Sequence, residues 1–471
     1  VTSDDLRFAS ITTLARKLRD GDITVDHIVN KSLEVIGNLD SELNAFLEVW
    51  SDEVREKASE AQRSIEIEKS ASPLTGIPIG LKDLVDVYGR TTTAGSKVLQ
   101  GNIAAKDATI VQRMTAAGAI LIGKLNLVEF AFGTTGLNAH TGNVSNPWDK
   151  TRVTAGSSSG SGASVAAGMV PAAIGTDTGG SIRMPAALCG IAGLKPTYGR
   201  VSRAGVLDLS WSMDHVGPMT RTVEDCALMM NALAGFDQAD PASSSEPVGD
   251  FSSELAKGFD GVRLGLPKQY FFDDFVDPEI KNRVLDAIKL METNGAEIVE
   301  LDADWISLGR RIGFGVIAPE ALAVHRKNLG ERPDDYTMAV RSRILAGVSI
   351  SAVDYIEAQR ARKWFSHEVA NLMQSVDAIV TPTVPIPTPT IEECTPTSTD
   401  PGGGGQMPFF TGVFNTTGQP SLSIPCGFGK FDMPIGMMIT GHSFDESTVL
   451  RIGHAYEQLT DWHQRKPNDI E

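Results

Sequence analysis

Residues 154–183 hold two clusters of glycine and serine, Thr154-Ala-Gly-Ser-Ser-Ser-Gly-Ser-Gly162 and Gly175-Thr-Asp-Thr-Gly-Gly-Ser181. Between them lie a small-residue segment with helical character and a short apolar strand, and Ile182-Arg183 follows. Glycine at this density serves backbone that must approach something closely, or several N–H groups that must point inward together. The intervening apolar run, 162–175, is Ala/Gly-rich and shorter than the roughly 18–20 residues that cross a bilayer. It therefore has to be buried inside protein.

The rest of the chain supplies the layers that bury it. Up to residue 70 the pattern is helical: Leu14, Ala15 and Leu18 share a face, Gly21 is placed to end that helix, and Thr24 to cap the next. Val25, Ile28, Val29, Leu33 and Ile36 then form a stripe suited to core packing. After Pro73 short apolar runs alternate with helical segments, and 77–81, 119–123, 172–175, 262–266, 378–380, 421–425 and 434–439 read as buried strands. The expected fold class is α/β: a central mixed, twisted β-sheet with helices on both faces. We read 1–70 as a helical N-terminal segment packing on the core and 71–471 as the main α/β domain. Residues 237–249 read as a surface connection between two halves of the sheet. The Pro/Thr-rich stretch 381–405 reads either as a binding rim or as a surface excursion.

Composition removes several function classes. The net charge of −17 argues against a nucleic-acid or anionic-membrane surface. Cys189, Cys226, Cys394 and Cys426 are scattered, without the close pairs of zinc or redox motifs, so reduced thiols and a cytoplasmic setting are expected. No charged segment followed by an apolar one opens the chain, so no signal peptide is read.

The Gly/Ser region then has to be matched to a chemistry. A phosphate loop needs Gly-Lys-Ser/Thr, which is absent, and Val165 stands where a dinucleotide fingerprint needs its third glycine. Acyl transfer fits better, because consecutive N–H groups around one serine suit a nucleophile beside an oxyanion site. There is no Gly-x-Ser-x-Gly elbow and no histidine beside an obvious carboxylate, which leaves serine–lysine chemistry. Lys82, at the end of the apolar run 77–81, is the candidate base: burial at a strand end lowers a lysine's affinity for its proton. The alternative is an ordinary lysine paired with Asp83 or Asp86.

At this point the chain resembles the amidase signature family of serine hydrolases, over nearly its whole length. The family's Gly-Gly-Ser-Ser-Gly-Gly-Ser segment is represented by Ala155-Gly-Ser-Ser-Ser-Gly-Ser161, and Gly175–Arg183 matches without change. Pro185–Gly190, Gly193–Thr197, Ser212–Pro218, Phe414–Pro420 and Pro434–Met438 add further blocks. The resemblance implies Lys82 as base, Ser157 as a relay serine preceded by a cis peptide, and Ser181 as nucleophile. It implies an oxyanion hole from N–H groups near Thr178, Gly179, Gly180 and Ser181, with Ser158, Asp177 and Arg183 in support. No metal or organic cofactor is implied. Ala155 and Ser159 depart from the family's glycines: Ala155 has to accept a Cβ there, and Ser159 either narrows the loop or adds a hydrogen bond.

For the substrate pocket the resemblance points to Leu127–Thr135, with Phe130, Gly133 and Thr134 as contacts, and to His215 as a contact or a structural histidine. The residues of 316–324 and 411–415 favour an apolar acyl or aryl group. The activity implied is hydrolysis of small amides, with aryl amides, carbamates and hydrazides in range, and homodimers are common in the family. Two alternatives accompany it: the glutaminase component of a tRNA-dependent amidotransferase, and an inactive scaffold on the same fold.

Overall fold

The computed structural model describes residues 4–67, 72–396 and 403–467. Near the N-terminus, local chemistry sets the helix ends. Ser10 accepts the Thr13 N–H to open Ile11–Asp20, and Gly21 closes it in the left-handed region at φ 76°. Thr24 and His27 cap the start of Val25–Leu43 reciprocally. Val25, Ile28, Val29 and Ile36 are buried there as the stripe predicts, whereas Leu33 is half-buried and Val35 takes the inner position.

The strands in chain order are β1 (Phe46–Val49), β2 (Pro78–Lys82), β3 (Ile120–Leu125), β4 (Ser145–Asn146), β5 (Asp149–Val153), β6 (Ala172–Asp177), β7 (Ala192–Lys195), β8 (His215–Thr220), β9 (Arg263–Pro267), β10 (Glu297–Leu301), β11 (Ala378–Pro382), β12 (Ser421–Phe428) and β13 (Pro434–Gly441). Eleven of them form one sheet in the order β1-β3-β2-β6-β8-β7-β12-β13-β11-β9-β10, and β4 and β5 pair separately. The pairing is mixed: β2 runs parallel to β3 and β6, while β8 is antiparallel to both β6 and β7. All seven runs read as strands from the sequence are strands.

Helices cover both faces. Along β13, Gly436 and Gly441 point to opposite sides because their separation is odd. A Cβ on Gly436 would meet Ala187 of the helix Arg183–Cys189, and one on Gly441 would meet Val449 of the helix Glu446–Gln458. Residues 237–249 are irregular and join the half of the sheet built by β1, β2, β3, β6, β7 and β8 to the half built by β9 to β13. No helix among the described residues is long and apolar enough to cross a membrane.

The N-terminal segment is not purely helical as expected. Phe46–Val49 adds to β3 as an antiparallel edge strand, and the apolar face of the flanking helices joins the main core. A four-residue strand between two long helices leaves too short an alternation to read. The expected boundary between residues 70 and 71 lies outside the described residues. The stretch 381–405 begins as part of β11 and includes the helix Ile391–Cys394, and its end at Gly405 borders the large cavity described below.

The β1–β3 contact depends on a missing side chain, since a Cβ on Gly123 would lie 2.1 Å from the Glu48 carbonyl oxygen. Backbone on both sides leaves no flexible atom to yield. Gly123→Ala should therefore cost about 2 kcal/mol or more, read as a lower Tm with faster amide exchange confined first to residues 46–49. Unchanged stability and exchange would show that β1 is not held there.

Candidate active site

β2 delivers Lys82 into the interior, where the residue is completely buried. Its Nζ lies 2.7 Å from Ser157 Oγ, 2.9 Å from Ser158 Oγ and 2.8 Å from Thr176 Oγ1. No carboxylate among the described residues touches it. Asp83, its neighbour in sequence, pairs instead with Lys124, whose Nζ sits 3.2 Å away and also donates to the Val85 carbonyl. Burial lowers the Lys82 pKa to about 7, against the opposing charges of Asp177 and Asp214. Relative to a solvated lysine, this disfavours charging by about 5 kcal/mol. The alternative of an ordinary lysine paired with Asp83 or Asp86 is excluded by this geometry.

The hydroxyl protons around Nζ are not equivalent. Ser158 Oγ donates to the Thr176 carbonyl at 3.2 Å and accepts the Thr176 N–H at 3.2 Å, so towards Lys82 it acts as an acceptor. Ser157 Oγ, like Thr176 Oγ1, has no such competing acceptor among the described residues, so its proton is free to move onto a neutral amine. The Gly156–Ser157 peptide is cis, and Ala155 before it takes φ 59°. That left-handed position favours glycine, so the Cβ of Ala155 is tolerated at a cost. Ser159 adds no hydrogen bond, because its buried Oγ has no partner.

Beyond β6 the chain wraps around Asp177. Its carboxylate accepts the Gly180 N–H at 2.8 Å, the Ile182 N–H at 3.1 Å and two bonds from Arg183, Nε and Nη2, at 3.0 Å each. Asn415 closes the cluster, donating to Asp177 Oδ1 at 2.8 Å while its own Oδ1 accepts from Arg183 Nη2 at 2.6 Å. Burial alone would raise the Asp177 pKa, but the charge and hydrogen bonds of Arg183, with Lys195 and Asn415, hold it well below the usual carboxylate range. A buried ion pair with every lone pair occupied sets a rigid turn. Gly180 sits in that turn at φ 131°, where a Cβ would come within 2.2 Å of Thr411 Oγ1.

The turn presents Ser181 to a cavity of about 510 Å³. Thr178, Gly179, Met184 and Gly412 line it, together with Phe132, Gly133 and Thr134. The N–H groups of Gly179 and Ser181 have no protein partner among the described residues. Gly180 differs from expectation: its N–H is turned back onto Asp177 and is not offered to the cavity. Thr178 is anchored by its hydroxyl, which donates to Asp214 at 2.5 Å. Asp214, pushed up to about 6 by burial, also accepts the N–H groups of Leu209 and Ser210.

Lys82, Ser157 and Ser158 are thus brought together, Asp177 and Arg183 are paired, and Ser181, Thr178, Gly179, Gly133 and Thr134 meet at one cavity. Two expected substrate contacts do not reach its lining. Phe130 is buried in a separate core cluster, with its ring against His325 and Tyr336. His215 stands at the start of β8 behind the turn, its Nδ1 3.0 Å from the Asp177 carbonyl oxygen, and burial keeps it neutral. Asp214 and Asn415 were missed as individual residues, although each lies inside a block quoted for the resemblance. Arg310, Arg311 and Arg343 were missed as well, and all three line the cavity. The apolar content of 316–324 had suggested an uncharged wall, but these arginines come from other turns of the same helix, Leu308–Glu331, and from Met338–Leu345.

A family model described as Amidase matches residues 27–450. An amidase from Pseudomonas putida is 41% identical over 467 residues, covering 98% of each chain. The A component of the glutamyl-tRNA(Gln) amidotransferase of Chromohalobacter salexigens is 37% identical over 483 residues, covering 97% of this chain and 98% of its own. Among solved structures, one described as a vestigial protein complex bearing on the origins of an s-triazine catabolic enzyme superposes with a TM-score of 0.90 at 33% identity, over 96% of this chain and 98% of that one. With a matching sheet, a matching sequence and serines gathered around a buried lysine, the chain belongs to the amidase family and is a hydrolase of amide C–N bonds.

Proposed function

We propose that Ser181 is the nucleophile, Ser157 the proton carrier and Lys82 the base in hydrolysis of small amides. The observation that carries this reading is a fully buried lysine bonded to three hydroxyls and to no carboxylate. Neutral Lys82 keeps two N–H groups for Ser158 and Thr176 and offers its lone pair to the Ser157 proton. Ser157 in turn accepts the proton of Ser181 as Ser181 Oγ attacks the carbonyl carbon. In this structure the two serine hydroxyls are not hydrogen-bonded to each other, and that link has to shorten when substrate is in place. The free N–H groups of Gly179 and Ser181 face the developing oxyanion, where losing one donor typically costs about 10²–10³ in turnover. The proton returns through Ser157 to the leaving amine, and water then releases the acyl group from Ser181.

The cavity volume suits a small molecule. Four buried, free thiols fit a reducing, cytoplasmic setting. A homodimer is supported by apolar side chains left exposed close together in sequence, Leu345, Val348, Val353 and Ile356. The second reading, the glutaminase component of a tRNA-dependent amidotransferase, is favoured by the similarity to such proteins. Hydrolysis of an anilide but not of glutamine by the lone chain decides for the free-standing amidase.

Ser181→Ala is expected to abolish hydrolysis and labelling by a fluorophosphonate, and Lys82→Ala to lower turnover by several orders of magnitude. Wild-type-like turnover of purified Lys82→Ala would refute the relay. Because the base must be unprotonated, kcat/KM should rise with pH through about 7 as Lys82 loses its proton. A profile already flat from pH 5 upward would contradict that assignment.

A further inference from the structure

Among the described residues, buried arginines are matched either by a carboxylate or, as at Arg221 and Arg362, by several backbone carbonyls and a hydroxyl. Arg183 pairs with Asp177, Arg200 with Glu446 and Arg203 with Asp240. The guanidinium groups at the cavity in front of Ser181 have far fewer partners of either kind. Arg310, Arg311 and Arg343 line it, no Asp or Glu does, and among the described residues none of the three makes an ion pair. For a chain with 59 acidic residues against 42 lysines and arginines, this gathering at one cavity, with Arg310 and Arg343 half-buried and Arg311 exposed, is a local reversal of charge.

Two of these arginines are held in place by the cavity walls. The Arg343 Nη1 donates to the Phe132 carbonyl at 2.9 Å, leaving four of the five guanidinium N–H groups unused. It fits there because residue 133 is glycine: a Cβ on Gly133 would lie 2.8 Å from that nitrogen. Burial weakens the Arg343 hold on its proton with no acid opposing it. The Arg310 guanidinium carbon lies 4.2 Å from the centre of the Phe409 ring, and its stem passes the position of a Gly412 Cβ at 3.7 Å. Its N–H groups make no hydrogen bond among the described residues. Away from Thr134, Thr178 and Ser181, the lining is largely apolar, with Phe132, Leu209, Met213, Phe314 and Ile317.

We infer that the substrate is an amide of net negative charge, an apolar body bearing a carboxylate that Arg310 and Arg343 receive. This inference rests on the hydrolase reading above and narrows its substrate class. A carboxylate supplies the planar acceptor pair that guanidinium groups match, and it enters a site where positive charge is uncompensated. The same surroundings discriminate against a zwitterion. A free amino acid such as glutamine would bring an ammonium group among three guanidinium groups, with no lining acid to receive it.

The test compares three amides of one scaffold on the full-length wild-type chain: a butyryl anilide, the succinyl anilide that adds a terminal carboxylate, and the γ-glutamyl anilide that adds an ammonium as well. The expected order of kcat/KM is succinyl above butyryl by about tenfold or more, with γ-glutamyl below succinyl. Arg310→Gln and Arg343→Gln should each shrink the succinyl-to-butyryl ratio, mainly through KM, while Arg310→Lys should retain most of it. A ratio taken on one preparation does not depend on how much of a variant is folded. Equal rates for the first two substrates in the wild type, or a ratio unchanged in the Arg310→Gln/Arg343→Gln double variant, would overturn the inference while leaving the hydrolase reading intact. No hydrolysis of any anilide together with no fluorophosphonate labelling of Ser181 would overturn both.

Discussion

Lys82 leaves β2 into a space where only hydroxyl oxygens meet its nitrogen, and most of the site follows from that. An ammonium so deeply buried normally recruits a carboxylate. Here the adjacent Asp83 is taken by Lys124, and Asp177 is taken by Arg183 and Asn415. Diverting both acids leaves burial to dominate, with only the more distant charges of Asp177 and Asp214 opposing it. The outcome is a lysine poised near neutrality, where a general base is most effective.

The two Gly/Ser clusters divide the remaining work. The first brings Ser157 and Ser158 to Lys82, and Ser158 has its own proton committed to the Thr176 carbonyl. The second folds around Asp177, so the buried ion pair that keeps this carboxylate from Lys82 also shapes the turn carrying Ser181. One interaction thus serves both the surroundings of Lys82 and the shape of the turn that carries Ser181. It also spends the Gly180 N–H, whereas those of Gly179 and Ser181, two residues that line the cavity, have no partner among the described residues.

Much of this was legible in the sequence, for identifiable reasons. The core strands are unbroken apolar runs bounded by turn residues, and Lys82, Ser157 and Ser181 lie in motifs whose spacing matches a known family. Strands β7 and β8 were quoted only as motif blocks, because their glycine and proline interrupt an apolar run. β1 was hidden between two strong helices. Phe130 and Phe132 are two residues apart in one segment, yet the left-handed backbone at Phe130 and Ala131 sends only Phe132 to the cavity. The arginines were illegible for another reason. A helix with charged and apolar residues interspersed reads as half-solvated, and nothing local reveals that Arg310 and Arg343 converge from two elements on one cavity that holds no acid.

The central claim is the protonation state of one amine, and it can be observed directly. In protein labelled with ¹³C at lysine Cε, the Lys82 resonance, assigned by its loss in Lys82→Met, should titrate with a midpoint near 7. A midpoint near the ordinary lysine value of about 10.4 would mean that Lys82 is a buried cation throughout the working range, and the proposed relay would have no base.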